Sequence, residues 1–486
     1  MHRHSVTSSF VIALGLLSQS AACKDSGGRP DPDAGIDPLH QTEVKDIPLI
    51  PNRDLDLLFM IDNSASMADK QAHVVASFPG FIAALSQLPG GLPNLHIGVV
   101  TSDLGTKGTE DATAGPPIGA VGRGYCAGTG QAGALQTGGV ITSGGMFLID
   151  IQDPALSGAR IRNYDGDLAA AFAQMATVGD GGCGFEQPLE AIKQALVPSH
   201  TANAGFLRPQ ATLAVILVTD EDDCSLTHSS LLTTATTTLG PQQSFRCTRY
   251  GVLCSDGGAT TDAMNEVGPK SGCHPNDDSM YLTKVSDYAG FLKGLKSNPK
   301  DVLVAAFAAP ADPVVIELRA PPNTTTQVPA LAHSCTYVAG DGTTEVGDPG
   351  VRIKALLDQF PDRNVMTSIC ERDQSAGLLH ITAALRTMAG DPCIHGKLTD
   401  VDAAAGLQPR CTVLAVTDPD SPARAEKVLP ICTPEDATAS NLPCWHIATD
   451  AASCPDSDHV RLTIEGQAML PSAARVLASC VIDTPM

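Results

Sequence analysis

Aromatic residues are scarce in this sequence: one Trp, six Tyr and twelve Phe in 486 residues. A core must therefore come mainly from aliphatic strands and from whatever cross-links the chain carries. Basic residues are also few, 31 Lys and Arg against 53 Asp and Glu, a formal net charge of -22. That balance argues against a nucleic-acid backbone as partner. It suits a soluble exported protein with an appetite for divalent cations. There is no Gly-x-Ser-x-Gly elbow, no Walker loop and no His-Glu-x-x-His. No enzymatic activity is expected from motifs of these kinds. No internal repeat is present.

The chain opens with a basic segment, residues 1–4, followed by an apolar run at residues 10–17 that is too short to span a bilayer. Ser20, Ala21 and Ala22 then precede Cys23. Residues 1–22 read as a secretory signal peptide. The segment also resembles a bacterial lipoprotein signal with Cys23 as the lipidated residue. Ser20 departs from the Leu usual in such signals, which leaves ordinary cleavage near Ala22 open. Residues 23–51 are polar and rich in Asp, Pro and Gly, the composition of a disordered tether. The expected address is the outer membrane or cell surface, held by lipid alone.

Cysteine supports export. Fifteen are present, and setting Cys23 aside leaves an even fourteen. These are Cys126, Cys183, Cys224, Cys247, Cys254, Cys273, Cys335, Cys370, Cys393, Cys411, Cys432, Cys444, Cys454 and Cys480. In an oxidising compartment they form up to seven disulfides, with connectivity open. At least one bridge is expected to leave the stretch from Cys393 to Cys480. No pair has zinc-site CxxC spacing.

The stretch that organises the chain is residues 54–67. Leu57, Leu58, Phe59, Met60 and Ile61 are consecutive apolar residues, as a strand buried on both faces requires. The strand ends at Asp62-Asn63-Ser64-Ala65-Ser66, where three oxygen-bearing side chains alternate. A helix is expected over 67–85, kinked or divided at Pro79. Residues 95–101 read as a second buried strand ending in Thr101-Ser102-Asp103. Residues 104–163 are Gly-rich and read as an insertion. A Gly-rich loop, residues 178–187, leads to a helix with Pro188 in its first turn. Residues 211–219 form the strongest strand pattern, which stops at Asp220-Glu221-Asp222-Asp223. Residues 225–280 read as a second insertion, 301–309 as a buried strand, 310–350 as loop, and 374–389 as a helix closed by Gly390. Alternating strands and helices predict a doubly wound, mostly parallel α/β sheet over 52–390. From residue 391 the pattern changes to a small Cys-rich β module, 391–486.

Asp62-x-Ser64-x-Ser66 after one buried strand, with Asp220 after another, resembles the metal-ion-dependent adhesion site of von Willebrand factor A-type domains. The resemblance covers residues 52–390 between insertions. It implies a Rossmann-like fold and a divalent cation, Mg²⁺ or Ca²⁺, at the carboxyl ends of the strands. Ser64 and Ser66 would coordinate it directly, Asp62 and Asp220 through water, and a partner's carboxylate would complete the shell. The family's Thr is missing, because residues 179–187 contain neither Thr nor Ser. Glu186 is the substitute this sequence offers; a first-turn acid favoured by the helix dipole is the plainer reading of the same residue.

Three functions follow from the resemblance. The first is a cell-envelope lipoprotein binding a protein or extracellular-matrix ligand through the metal. The second is a scaffold with a degraded metal site, acting in assembly. The third is an exported metal-dependent hydrolase with Asp103 or Glu221 as base.

Overall fold

A computed structural model describes residues 40–48 and 52–483, except 89, 157, 322–323, 401–408, 418–421, 433–441, 452–453, 455–457 and 472–473. The expected signal peptide, Cys23 and most of the expected tether lie outside the described residues.

The centre is a seven-stranded sheet built from β1 (Asp54–Ile61), β2 (Asn94–Thr101), β3 (Leu148–Gln152), β4 (Arg160–Arg162), β5 (Thr212–Val218), β6 (Val302–Ala308) and β7 (Asn364–Ser368). Its order is β7-β6-β5-β1-β2-β3-β4. The five strands from β7 to β2 are parallel, and β3 and β4 add antiparallel at one edge. β1 pairs with β5 on one side and β2 on the other, and from Leu55 to Ile61 every side chain is buried. Leu57, Phe59 and Ile61 pack under α1 (Ala68–Leu85), α2 (Leu168–Ala176) and α6 (Ser375–Ala389). Leu58 and Met60 face α3 (Pro188–Leu196), α4 (Val285–Gly294) and α5 (Val351–Leu357). The scarce aromatics concentrate on the first face, where the Phe78 and Phe172 rings stack at 3.6 Å and Phe59 lies 4.7 Å from Phe172. This is the doubly wound, mostly parallel arrangement expected from the strand–helix alternation.

Several details differ from the expectation. Residues 104–163 are not wholly an insertion, because β3 and β4 belong to the main sheet. Both are short and follow Gly-rich chain, and β4, at the edge, lacks the continuous apolar run of a central strand. α1 runs undivided through Pro79. Residues 310–350 are not plain loop. Val314–Arg319 and Val328–Leu331 join Val252–Asp256 and Gly268–Pro275 in a four-stranded antiparallel sheet. Cys335–Val338 and Thr344–Gly347 form a hairpin. Part of the expected tether is a strand: His40–Pro48 pairs antiparallel with Arg475–Asp483 over its whole length. That sheet continues through Cys411–Thr417 and Ala425–Val428.

Fourteen cysteines pair as Cys126–Cys183, Cys224–Cys247, Cys254–Cys273, Cys335–Cys370, Cys393–Cys454, Cys411–Cys480 and Cys432–Cys444. The expectation that a bridge leaves the stretch from Cys393 to Cys480 is wrong. That stretch holds six cysteines, an even number, and closes its three bridges internally. Seven disulfides mark the protein as extracytoplasmic. Among the described residues no helix is long and apolar enough to cross a membrane.

Candidate metal centre

β1, β2 and β5 end side by side, and their carboxyl ends carry Asp62, Ser102 and Asp220 to one rim. This is where open α/β sheets place ligands. Asp62 is fully buried and held by three donors. The Ser64 amide and the Ser102 hydroxyl donate to Oδ1 at 2.8 and 3.0 Å, and the Thr219 hydroxyl donates to Oδ2 at 2.9 Å. Burial, and then the charge of Asp220, push its pKa up to about 6 despite those donors. The Ser64 and Ser66 hydroxyl oxygens stand 3.4 Å apart. Adjacent ligands of one ion stand about 3.4 Å apart around Ca²⁺ and about 3.0 Å around Mg²⁺, given their usual metal–oxygen distances.

The Gly-rich loop closes the other side. Gly182 N donates to the Asn63 carbonyl at 2.8 Å, and Gln71 Nε2 bridges the Asp62 and Gly179 carbonyls at 2.9 and 2.8 Å. A β-carbon at Gly182 would strike the Asn63 side-chain amide, which would have to move to admit any larger residue. The Cys126–Cys183 disulfide ties the loop to the first insertion, and Cys224–Cys247 ties the acidic turn after β5 to the second.

The loop delivers Glu186, 1% exposed, and among the described residues no donor reaches its Oε1. Burial first, then Glu221 and Asp62, push its pKa well above the usual carboxylate range. Glu221 is raised for the same reasons, with Asp348 its strongest neighbour. Glu186, Glu221, Asp222 and Asp348 line a cavity of about 10 Å³, room for roughly one water-sized occupant. Asp220, 2% exposed, has one oxygen without a donor, Oδ1. Its Oδ2 meets Lys70 Nζ at 3.0 Å. Burial opposes the Lys70 charge, but Asp220 and Glu345 outweigh it and hold the ammonium protonated.

The structure thus brings Asp62, Ser64, Ser66, Asp220 and Glu186 to one place. Asp103 Oδ1 accepts from Gly105 N at 2.9 Å. Sequence reasoning missed Lys70, Glu345 and Asp348. Thr219 and Ser102 had a signal, since both adjoin the acidic strand ends. Lys70 had none.

Hard oxygens fit a hard divalent cation, and the two carboxylate oxygens without donors ask for one. Against that, among the described residues no three His, Cys, Asp or Glu side chains stand at metal-ligand spacing. The hydroxyls, which that criterion leaves out, are the ligands the arrangement offers.

No family model matches the sequence, and no curated protein does. Solved structures similar to this chain include a von Willebrand factor type A protein from Catenulispora acidiphila, at 11% identity and a TM-score of 0.28, covering 92% of this chain and 66% of that one. The conserved hypothetical protein BatB from Bacteroides thetaiotaomicron gives 9% identity and a TM-score of 0.26, over 69% of this chain and 98% of that one. The pilus adhesin RrgA from Streptococcus pneumoniae gives 11% identity and a TM-score of 0.22, over 91% of this chain and 58% of that one. None of these likenesses bears on the chemistry of the site.

Proposed function

We propose that this chain is a von Willebrand A-type binding protein of the cell envelope, anchored by lipid at Cys23. Its ligand is a protein or matrix component that offers a carboxylate to a divalent cation. Ser64 and Ser66 would hold the cation, Asp62 and Asp220 would orient its shell, and Glu186 takes the place of the missing Thr. Few charged groups in the first shell leave such an ion electrophilic toward a partner's Asp or Glu. The observation that carries the reading is the pair of buried carboxylate oxygens without a hydrogen-bond partner, Asp220 Oδ1 and Glu186 Oε1, together with the Ser64 and Ser66 hydroxyls 3.4 Å apart. We read the site as one of binding rather than catalysis.

The Lys70 ammonium favours a second reading, a scaffold whose site no longer takes metal. Isothermal titration of Mg²⁺ and of Ca²⁺ into metal-stripped wild type and Asp62→Ala separates the two. Binding that the variant loses supports the first reading. Identical heats in both proteins remove it. The mass of the mature protein tests the anchor, which falls if Cys23 carries no lipid.

A further inference from the structure

Lys70 lies on α1, one turn beyond Ser66, and its side chain is fully buried. Three oxygens surround its Nζ: the Ser66 carbonyl at 2.9 Å, Asp220 Oδ2 at 3.0 Å and Glu345 Oε2 at 2.9 Å. An ammonium has three protons, so its donors are fully used. Glu345 comes from the second strand of the hairpin formed by Cys335–Val338 and Thr344–Gly347. That hairpin is moored around the site at three further points. Cys335 is bridged to Cys370, the Tyr337 hydroxyl donates to Asp69 Oδ2 at 2.8 Å, and Asp348 N just beyond it donates to the Asp220 carbonyl at 2.7 Å.

We propose that Lys70 is a displaceable internal counter-ion of the Asp-x-Ser-x-Ser site. A divalent cation must drive it off Asp220, and Glu345 is the carboxylate that keeps it there. This rests on the cation reading above and adds a control to it. An ion between the Ser64 and Ser66 hydroxyls needs Asp220 as its nearby countercharge. Lys70 already uses that carboxylate at salt-bridge distance, and in a buried site the two positive charges repel strongly. When the ion binds, Lys70 leaves and Glu345 loses its partner. The hairpin then has one mooring fewer, on the rim where a ligand would approach. Cation binding therefore loosens residues 335–347.

The test is titration of Ca²⁺ and Mg²⁺ into the metal-stripped full chain as wild type, Lys70→Met and Glu345→Gln. Lys70→Met should bind more tightly by on the order of tenfold, the effect of removing one competing charge. Glu345→Gln should shift affinity the same way by less, and it keeps the test open should Lys70→Met fail to fold. Hydrogen exchange of residues 335–347 in wild type should quicken on adding Ca²⁺. Equal or weaker affinity in both variants overturns the counter-ion role and leaves the cation reading standing. Unchanged exchange of the hairpin in metal-bound wild type overturns the coupling. No binding in any of the three proteins overturns this inference and the cation reading together.

Discussion

Replacing Glu186 by Gln should stabilise the metal-free protein and weaken its hold on a cation. Glu186 is 1% exposed, its Oε1 has no donor, and Glu221 and Asp62 face it. At neutral pH it must either keep a proton or carry a charge among carboxylates, and both are costly. Two like charges about 4 Å apart repel by about 4 kcal/mol at an effective dielectric of about 20. Taking up a proton relieves part of this, which leaves a penalty near that of an unsatisfied buried polar group, about 1–3 kcal/mol. Gln keeps the shape, loses the charge, and offers an amide N–H to Glu221. Calorimetry in EDTA near neutral pH should therefore show a Tm higher by a few degrees in Glu186→Gln. Saturating Ca²⁺ should then raise the wild-type Tm more than the variant's. A tenfold loss of affinity removes about 1.4 kcal/mol of ligand-linked stabilisation. A variant with a lower Tm in EDTA, or with the full Ca²⁺ shift retained, would refute the assignment. Glu186 would then be a packing acid at a helix start.

Other outcomes follow from the same geometry. Asp62 has a folded pKa of about 6 against an ordinary 3.8, so between those values the folded state binds more protons than the unfolded. Its contribution is fully present at the acid end and is lost as pH rises through about 6. The difference of about two units is worth about 3 kcal/mol. Stability of metal-free wild type minus that of Asp62→Asn, measured by urea unfolding, should fall across that window; a rise would reverse the sign of the argument. Asp56→Ala, at the opposite end of β1, removes a fully buried carboxylate bound by Arg208 Nε at 2.8 Å and faced by Lys296 at 3.6 Å. It should cost about 3–5 kcal/mol of stability and leave cation affinity unchanged. Replacing both Cys335 and Cys370 by Ser opens a bridge with a sequence separation of 35. The loss should be about 3–4 kcal/mol on the chain-entropy scale, with faster hydrogen exchange in 335–347.

What the sequence made legible was local. A buried parallel strand is a continuous apolar run, and an abrupt stop at Asp62 or Asp220 marks its carboxyl end. Glu186 was legible by elimination, as the acid nearest the helix start on a loop without hydroxyls. Lys70 was not. Its partner Glu345 is 275 residues away on a hairpin whose composition reads as loop. Nor was the strand His40–Pro48 legible. Val44 and Ile47 are its only apolar residues before Pro48, it lies at the edge of a sheet, and the strand it joins lies at the far end of the chain. β4 shares that difficulty as a three-residue edge strand, and β3, though apolar at Leu148, Ile149 and Ile151, is short and set within Gly-rich chain.

The charges at the rim argue that this site is for something. Asp62, Asp220 and Glu186 are buried, Glu221 adjoins them, and among the described residues the buried ammonium in contact with the cluster is Lys70. Asp62 is answered by three hydrogen-bond donors and Asp220 by half a salt bridge. Burial and neighbouring carboxylates raise both Glu186 and Glu221 above the usual carboxylate range. Apolar residues would fill the same space at a gain in stability, since burying unpaired acids is among the more costly things a fold can do. Elsewhere the chain keeps to the rule: Asp56 has its guanidinium and ammonium, and Asp223 is paired with Arg352 at 2.9 Å. Local rules are broken only where another interest overrides them. The break falls at the carboxyl ends of three neighbouring strands and is fastened by Cys126–Cys183 and Cys224–Cys247 on the two loops that carry the excess acid. Those bridges hold together, on two separate loops, acids whose charges would otherwise repel.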